Sequence, residues 1–333
     1  MSLRNPNIYD VAEAAGVSHQ TVSRVINNHP SLRPETRKRV EAAMAELGYV
    51  PNRAARALVT KKSKLIGILA SDTTLYGPAG MLNAIESEAR KTGYVTSTCA
   101  VDSESESEVR DGIEHMRQMG IDGLILITAE RMPTDVARDG LPNIPIVAMD
   151  SDYRADRLNV NVDNAGAAAL ATQHLIDLGH QKILHITGET AWAVGRQRRE
   201  GFERTMQAAG LDPIVVEGDW QIETGHAIGS SFDLAQVTAV FCANDGLALG
   251  LLKACRERGI GVPEDLSVVG FDDVPEAAYF APPLTTIRQD FDRMGKQAIR
   301  VLLAELAGEQ PADNPLLRLH LVTRDSTAPP SRL

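Results

Sequence analysis

The spacing of apolar positions along this chain changes near Lys61. Before that point they recur every three or four residues, the helical period. Asn7 is placed to cap a helix that opens at Ile8, carries Ala12, Ala14 and Ala15, and stops at Gly16. Ser18 is placed to cap a second helix running through Val22, Val25 and Ile26 to Asn27. Pro34 suits the first turn of a third, which carries Val40, Ala43, Met44 and Leu47 and ends at Gly48. The small residues of the first helix permit the close crossing that a helix-turn-helix requires. After Lys64 the rhythm becomes strand, helix, strand, helix. Apolar runs beginning at Leu65, Gly123, Ile144, Lys182, Thr238 and Leu266 read as buried parallel strands, and helical patterns fill Gly77 to Thr92, Asn164 to Leu178 and Asp245 to Arg258.

This alternation predicts an α/β body of doubly wound parallel sheets behind an all-α helix-turn-helix headpiece. The strands are too many for one compact sheet, and polar loops follow their C-terminal ends. Two lobes with a cleft between them is the economical arrangement, and such crevices bind ligands. The expected division is a headpiece over 1–50, a linker over 51–63 and the two-lobed body over 64–333. One lobe takes about 64–162 and 291–320, the other about 163–290 and 321–333.

Charge sharpens that division. The net charge is −10, yet Met1 to Lys64 holds 11 Lys/Arg against 5 Asp/Glu, a balance of +6 on a body of −16. A basic module on an acidic body points to a polyanion partner for the module alone. No N-terminal run combines a basic start with an apolar stretch, and no apolar run reaches membrane-spanning length, so neither a signal peptide nor a membrane partner is expected. Cys99, Cys242 and Cys255 are scattered without metal-ligand spacing. They read as reduced thiols of a cytoplasmic protein that needs no metal or cofactor.

The segment Ile8 to Pro30 gathers Ser18, His19, Gln20, Thr21, Ser23 and Arg24 around the start of the second helix. A helix entering the major groove contacts bases through its N-terminal residues. Gln20 has the bidentate geometry for an adenine edge and Arg24 for a guanine edge, while Val22, Val25 and Ile26 face the other way. A merely solvated helix face is the alternative reading of the same pattern.

This stretch, with VEAAMAELGYVPNRAARAL from Val40 to Leu58, resembles the LacI/GalR family of bacterial repressors, and recognisable blocks continue to about Arg324. The resemblance implies a periplasmic-binding-protein-like body and a DNA contact set that adds Tyr9 and Asn27. It also implies a hinge helix over the stretch matching Asn52 to Leu58, folded only in the minor groove. There Asn52, Arg53 and Ala55 contact DNA, Arg56 strengthens the phosphate contact, and Leu58 wedges between base pairs. An Ala-rich helix of this length is too short to persist alone in water, so ordering it on DNA couples folding to binding.

Polar residues also gather where strands end. Asp150 follows IPIVAM, Asn244 and Asp245 follow TAVFCA, Asp272 and Asp273 follow LSVVGF, and Arg198 lies near the start of a helix after KILHI. Carboxylates and amides clamp adjacent sugar hydroxyls, and Arg donates several bonds in fixed geometry. Trp220 and Phe291 offer aromatic faces for a sugar ring. Each has a structural alternative, since Asp and Asn after strands commonly cap helices. The family resemblance assigns effector hydroxyls to Asp150, Arg198, Asn244 and Asp272, and walls to Trp220 and Phe291 with Gln289 beside them. Ser71, Asp72 and Tyr76, in the first strand-to-helix loop, supply the contacts of the other lobe. Ile127 stands where a sugar-responsive member carries an amide, Val162 where it carries an aromatic ring, and Asp72 and Tyr76 also depart from it. The expected effector is therefore a galactoside or other glycoside or oligosaccharide acting as inducer, with a purine corepressor as the alternative.

The expected assembly is a homodimer on a pseudo-palindromic operator, because the polar STAPPSRL ending lacks the leucine-heptad tail that builds tetramers in the family. Two rival classes share parts of the pattern. A transport-type sugar-binding protein lacks the helical module, and a glycosidase needs a carboxylate pair at a defined separation.

Overall fold

The computed structural model describes residues 6–26, 29, 31–50, 62–127, 132–150, 158–310 and 315–331. They form two compact units, residues 1–63 and 64–333. In the smaller unit α1 (Ile8–Ala14), α2 (His19–Ile26) and α3 (Pro34–Leu47) pack on one another. The Asn7 side chain accepts from the Tyr9 and Asp10 amides while Asp10 accepts from the Asn7 amide, which satisfies both ends of a capping box. Val11, Ala12, Ala15, Val22, Val25 and Val40 make the core. A core this small leaves the unit marginally stable.

The larger unit holds two sheets. The first is parallel throughout, in the order β2-β1-β3-β4-β5, from β1 (Leu65–Ala70), β2 (Val95–Ala100), β3 (Gly123–Ile127), β4 (Ile146–Met149) and β5 (Asn159–Val160). The second runs β11-β10-β9-β8-β6-β7, from β6 (Ile183–Ile186), β7 (Ile214–Val216), β8 (Ala239–Cys242), β9 (Ser267–Asp272), β10 (Thr285–Arg288) and β11 (His320–Val322). Only the β10–β11 pair in it is antiparallel. The six apolar runs of the sequence are β1, β3, β4, β6, β8 and β9, buried on both faces as parallel strands require.

Helices cover the sheets. They are α4 (Tyr76–Lys91), α5 (Glu106–Met119), α6 (Met132–Gly140), α7 (Asn164–Asp177), α8 (Ala193–Ala208), α9 (Ile222–Ser231), α10 (Asp245–Glu257) and α11 (Phe291–Leu306). α11 follows β10 of the second sheet yet packs on α4 and on β4 and β5 of the first. The chain thus passes between the sheets after β5, after β10 and again before β11, and a parallel bridge joins Val162 to Leu317 where two of these passages run side by side. The C-terminal ends of both sheets carry the loops that the sequence marked as polar.

α9 and α10 approach closely enough to require glycine at their crossing. A Cβ on Gly250 would lie 2.0 Å from the Ile222 carbonyl oxygen, and one on Gly225 would lie 2.1 Å from that of Leu247. Both obstacles are backbone, so the helices would have to separate. Gly250→Ala should therefore cost about 3 kcal/mol or more in urea unfolding. Gly77→Ala, where the added Cβ meets nothing, should stay within about 1 kcal/mol of the parent. Equal costs would mean that the crossing is not the constraint.

Candidate functional site

A cleft of about 580 Å³ of empty space, mouth included, opens at the C-terminal ends of the strands. Ser71 after β1, Ile127 at the end of β3 and Asp150 after β4 line it from the first sheet; Asn244, Asp272 and Gln289 line it from the second. Arg198 projects from α8, and Trp220 from the loop between β7 and α9. Tyr76, Met81 and Met149 add further lining. The backbone is strained where the acids sit: Asp72, Asp150, Asp272 and Asp273 have φ of 45°, 49°, 113° and 57°. Asp tolerates such angles better than most residues, and strain of this kind concentrates at functional sites.

Arg198 is the hub. It is only 4% exposed; its Nε donates to Asn164 Oδ1 at 3.1 Å and its Nη1 to the Ala243 carbonyl at 2.6 Å. Nη1 also stands 3.8 Å from Asp272 Oδ1, and the guanidinium lies 3.6 Å from the centre of the Phe271 ring. Burial lowers its pKa, and Asp272, Asp150 and Asp245 pull it back up. Each flanking carboxylate commits Oδ1 to the protein. Asp150 accepts from the Val162 amide at 3.0 Å, and Asp272 from Gln289 Nε2 at 2.7 Å. Burial pushes Asp150 up to about 6 against the Val162 bond and Arg198, and burial likewise raises Asp272. The cleft therefore gathers more acid than base in a dry setting, an arrangement that favours ligand groups able to donate hydrogen bonds.

Polar atoms also stand unpartnered here. Trp220 Nε1 and Gln289 Oε1 are buried without hydrogen-bond partners, and both residues line the cleft. Trp220 stands directly over Gly188, where a Cβ would meet its ring at 2.1 Å. Only glycine leaves room for the indole at that point.

Sequence-expected residues divide on inspection. Asn244 serves both readings: its Oδ1 caps α10 through the Leu247 amide, its Nδ2 donates to the Trp220 carbonyl, and it lines the cleft. Asp273 is not a ligand group, because Arg288 and Arg324 hold its carboxylate. Asp245 is wholly buried behind the wall, accepting from Thr286 Oγ1 at 2.6 Å and the Val274 amide at 2.9 Å. Phe291 lies outside the lining and meets Tyr76 edge-on at 5.6 Å, so it braces that ring. Asp72 is exposed, accepts from Thr74 Oγ1 and does not line the cleft. Val162 is core and acts through its amide on Asp150. Sequence reading missed Trp192 and the apolar residues Leu75, Pro78 and Val194 of the wall. Trp192 lies in the connection from β6 to α8, at the N-cap of that helix.

On the smaller unit, α2 turns Val22 and Val25 inward and leaves His19, Gln20 and Arg24 exposed, with Thr21 and Ser23 half-buried. Ser18 Oγ accepts from the Thr21 amide at 3.2 Å. Tyr9, 64% exposed, sets its ring 5.1 Å from that of His19, so the two helices present one polar face. Asn27, Asn52, Arg53, Ala55, Arg56 and Leu58 lie outside the described residues. Among the described residues no helix is long and apolar enough to cross a membrane, and no group of acidic, His and Cys side chains could hold a metal ion.

Asp245 yields a pH prediction. Burial, then the neighbouring Asp272 charge, pushes its carboxyl from 3.8 up to about 8. The folded state thus holds that proton more tightly than the unfolded state. The resulting stability is fully present below the unfolded value and is lost as pH rises through the folded one. Asp245→Asn keeps an acceptor for Val274 and a donor for Thr286 while abolishing the titration. Its urea midpoint should exceed the parent's by a margin that widens between about pH 4 and 8. A margin independent of pH would show that Asp245 stays ionised.

Comparison with known proteins gives two family matches. Residues 7–52 match bacterial regulatory proteins of the lacI family, and 172–327 match a periplasmic binding protein-like domain. The chain is 34% identical to the lactose operon repressor of Escherichia coli (strain K12), over 97% of this chain and 91% of that one. It is 35% identical to the HTH-type transcriptional repressor PurR of Haemophilus influenzae (strain PittEE), over 90% of each. Among solved structures, the lac repressor dimer bound to operator and the anti-inducer ONPF superposes with a TM-score of 0.89 at 33% identity, over 98% of this chain and 100% of that chain.

Proposed function

The chain belongs to the LacI family of DNA-binding repressors, and from that premise we propose that its operator affinity is set by a neutral sugar, a galactoside or another glycoside, acting as inducer. The observation that carries the sugar reading is the clamp of Asp150, Arg198 and Asp272 beside the unpartnered Nε1 of Trp220. Every hydroxyl of a sugar both donates and accepts, so adjacent hydroxyls satisfy the free carboxylate oxygens, the guanidinium and the indole together. The C–H face of the same ring covers Trp220. An anionic effector would meet a surplus of carboxylates. The PurR relatives keep a purine corepressor as a second reading, since they match as well as the lactose operon repressor does.

On DNA, Gln20 and Arg24 read base edges from the exposed face of α2, with Tyr9, Ser18, His19, Thr21 and Ser23 fixing its placement. Asn27, Asn52, Arg53, Ala55 and Leu58 complete the proposed contact set from outside the described residues. A homodimer on a pseudo-palindrome follows from the same premise. The effector acts by binding one lobe arrangement better than another, which depopulates the DNA-competent state.

The test begins with a duplex selected from a palindromic random library by the full-length chain. Fluorescence anisotropy then follows release by galactose, lactose, glucose, cellobiose and hypoxanthine. Release by a sugar with indifference to hypoxanthine supports induction; tighter binding with hypoxanthine overturns it. Arg24→Ala should cost about 1–3 kcal/mol on the selected site and less on random DNA. Equal losses on both would make Arg24 a phosphate contact. Arg198→Lys keeps the charge but not the fork, and should weaken the releasing sugar about tenfold or more while leaving operator binding intact. An unchanged sugar response would remove Arg198 from the site.

A further inference from the structure

Trp192 is the part of the cleft that the clamp leaves unexplained. It ends the turn after β6 and is the N-cap residue of α8. Its indole is half-buried, packs on the apolar cluster of the second sheet and lines the same cleft as Trp220. The two ring centroids are 5.8 Å apart and the planes are inclined at 43°. That is neither a parallel stack nor an edge-on contact. The rings form adjoining panels of one concave wall, the buried Trp220 panel within and the more exposed Trp192 panel nearer solvent.

A single pyranose held by Asp150, Asp272 and Arg198 has its place fixed at the inner panel, where the guanidinium stands 5.6 Å from the Trp220 ring centre. A second ring joined through a glycosidic oxygen on the side facing the mouth would fall one ring's width outward. We infer that Trp192 is a specificity-determining residue that reads this second ring, so that the effector is a neutral disaccharide-sized glycoside. This inference rests on the sugar reading of the cleft. A pyranose suits the outer panel better than an aryl group, because it lays C–H bonds on the indole and turns hydroxyls to the water at the mouth. Leu75, Pro78 and Val194 on the remaining wall offer apolar contact alone.

The chain supplies its own reporter. It holds two tryptophans, Trp192 and Trp220, and both line the cleft. Tryptophan emission of the full-length chain therefore reads this site and nothing else. Trp220→Phe leaves the outer indole as the probe, read at sugar concentrations raised until operator release saturates so that the site is known to be filled, and Trp192→Phe leaves the inner one. Titration with galactose against lactose, and with glucose against cellobiose, separates one ring from two. The preferred monosaccharide should move the emission of Trp220 and leave Trp192 silent, whereas its disaccharide should move both. Trp192→Ala should weaken the disaccharide about tenfold and the monosaccharide less than about twofold, with Trp192→Phe restoring most of the loss.

Two results would overturn the inference and leave the sugar reading intact. One is a Trp192 that stays silent to every disaccharide while Trp220 responds. The other is a Trp192→Ala variant that weakens mono- and disaccharide equally, which would make Trp192 a structural prop. Emission that moves with hypoxanthine and with none of the four sugars would remove the sugar reading itself, and the two-ring inference with it.

Discussion

A guanidinium buried among carboxylates sets the terms for the rest of the cleft. Arg198 ties α8 to the start of α7 through Asn164, to the end of β8 through the Ala243 carbonyl, and to the end of β9 through Phe271 and Asp272. Stripping an ion of water costs several kcal/mol, and only a full set of bonds offsets it. The arginine therefore fixes where four segments of the second lobe meet. It also lowers the cost of burying Asp272 and, across the cleft, Asp150. The offset is incomplete, and burial still holds both acids above the usual carboxylate range. A ligand that donates to them supplies the missing stabilisation, so the energy that makes the empty cleft uneasy becomes affinity when it is filled.

The lining of the cleft is shared between lobes. Ser71, Ile127 and Asp150 belong to the first sheet's end of the cleft, Asn244, Asp272 and Gln289 to the second's. Leu75, from the loop after β1, reaches across to pack on the second sheet's apolar cluster, and Tyr76 feels the charge of Asp272. A ligand touching both sides binds one spacing of the lobes better than others, and such a difference is all that linkage requires to bias a distant equilibrium. Couplings of about 1–3 kcal/mol suffice for a regulatory response. The passages of chain between the sheets connect the two lobes, and one pair of them is bridged at Val162 and Leu317. Val162 also holds Asp150 through its amide, which ties that carboxylate to a connecting segment.

Much of this was legible because parallel strands buried on both faces leave continuous apolar runs. β2 escaped notice because VTSTCA is an edge strand with exposed positions and no such run. β5, β7, β10 and β11 are two to four residues long and depend on neighbours that the sequence does not reveal. For the site, the rule that ligands gather at strand ends found Asp150, Asn244, Asp272 and Arg198. It could not separate Asp272 from Asp273, since the difference lies in Arg288 and Arg324, 15 and 51 residues further on. Nor could it foresee that Thr286 would claim Asp245, 41 residues away. Which residues stand near the cleft is a local property of a strand–turn–helix unit. Which of them keep a free oxygen for a ligand is decided by partners that only the folded chain brings together. Trp192 is not legible by that rule for a different reason: polar groups mark strand ends as binding positions, whereas an indole contributes by shape.

The division of charge bears on how completely such a repressor lets go. The positive balance of the chain, +6, lies in its first 64 residues, and the remaining −16 opposes attraction to a polyanion. Nonspecific affinity arises from phosphate contacts and counterion release. A uniformly basic repressor that lost its specific contacts would remain on DNA through that term. Here any effector-driven loss of headpiece contact leaves a body with the wrong sign of charge for DNA, so the same loss of specific contacts produces a larger change in occupancy. The segregation of charge thus confines the favourable electrostatics toward DNA to the first 64 residues, and places the surplus of acid in the body. Around the cleft that surplus favours a neutral hydrogen-bond donor, and over the whole body it disfavours DNA.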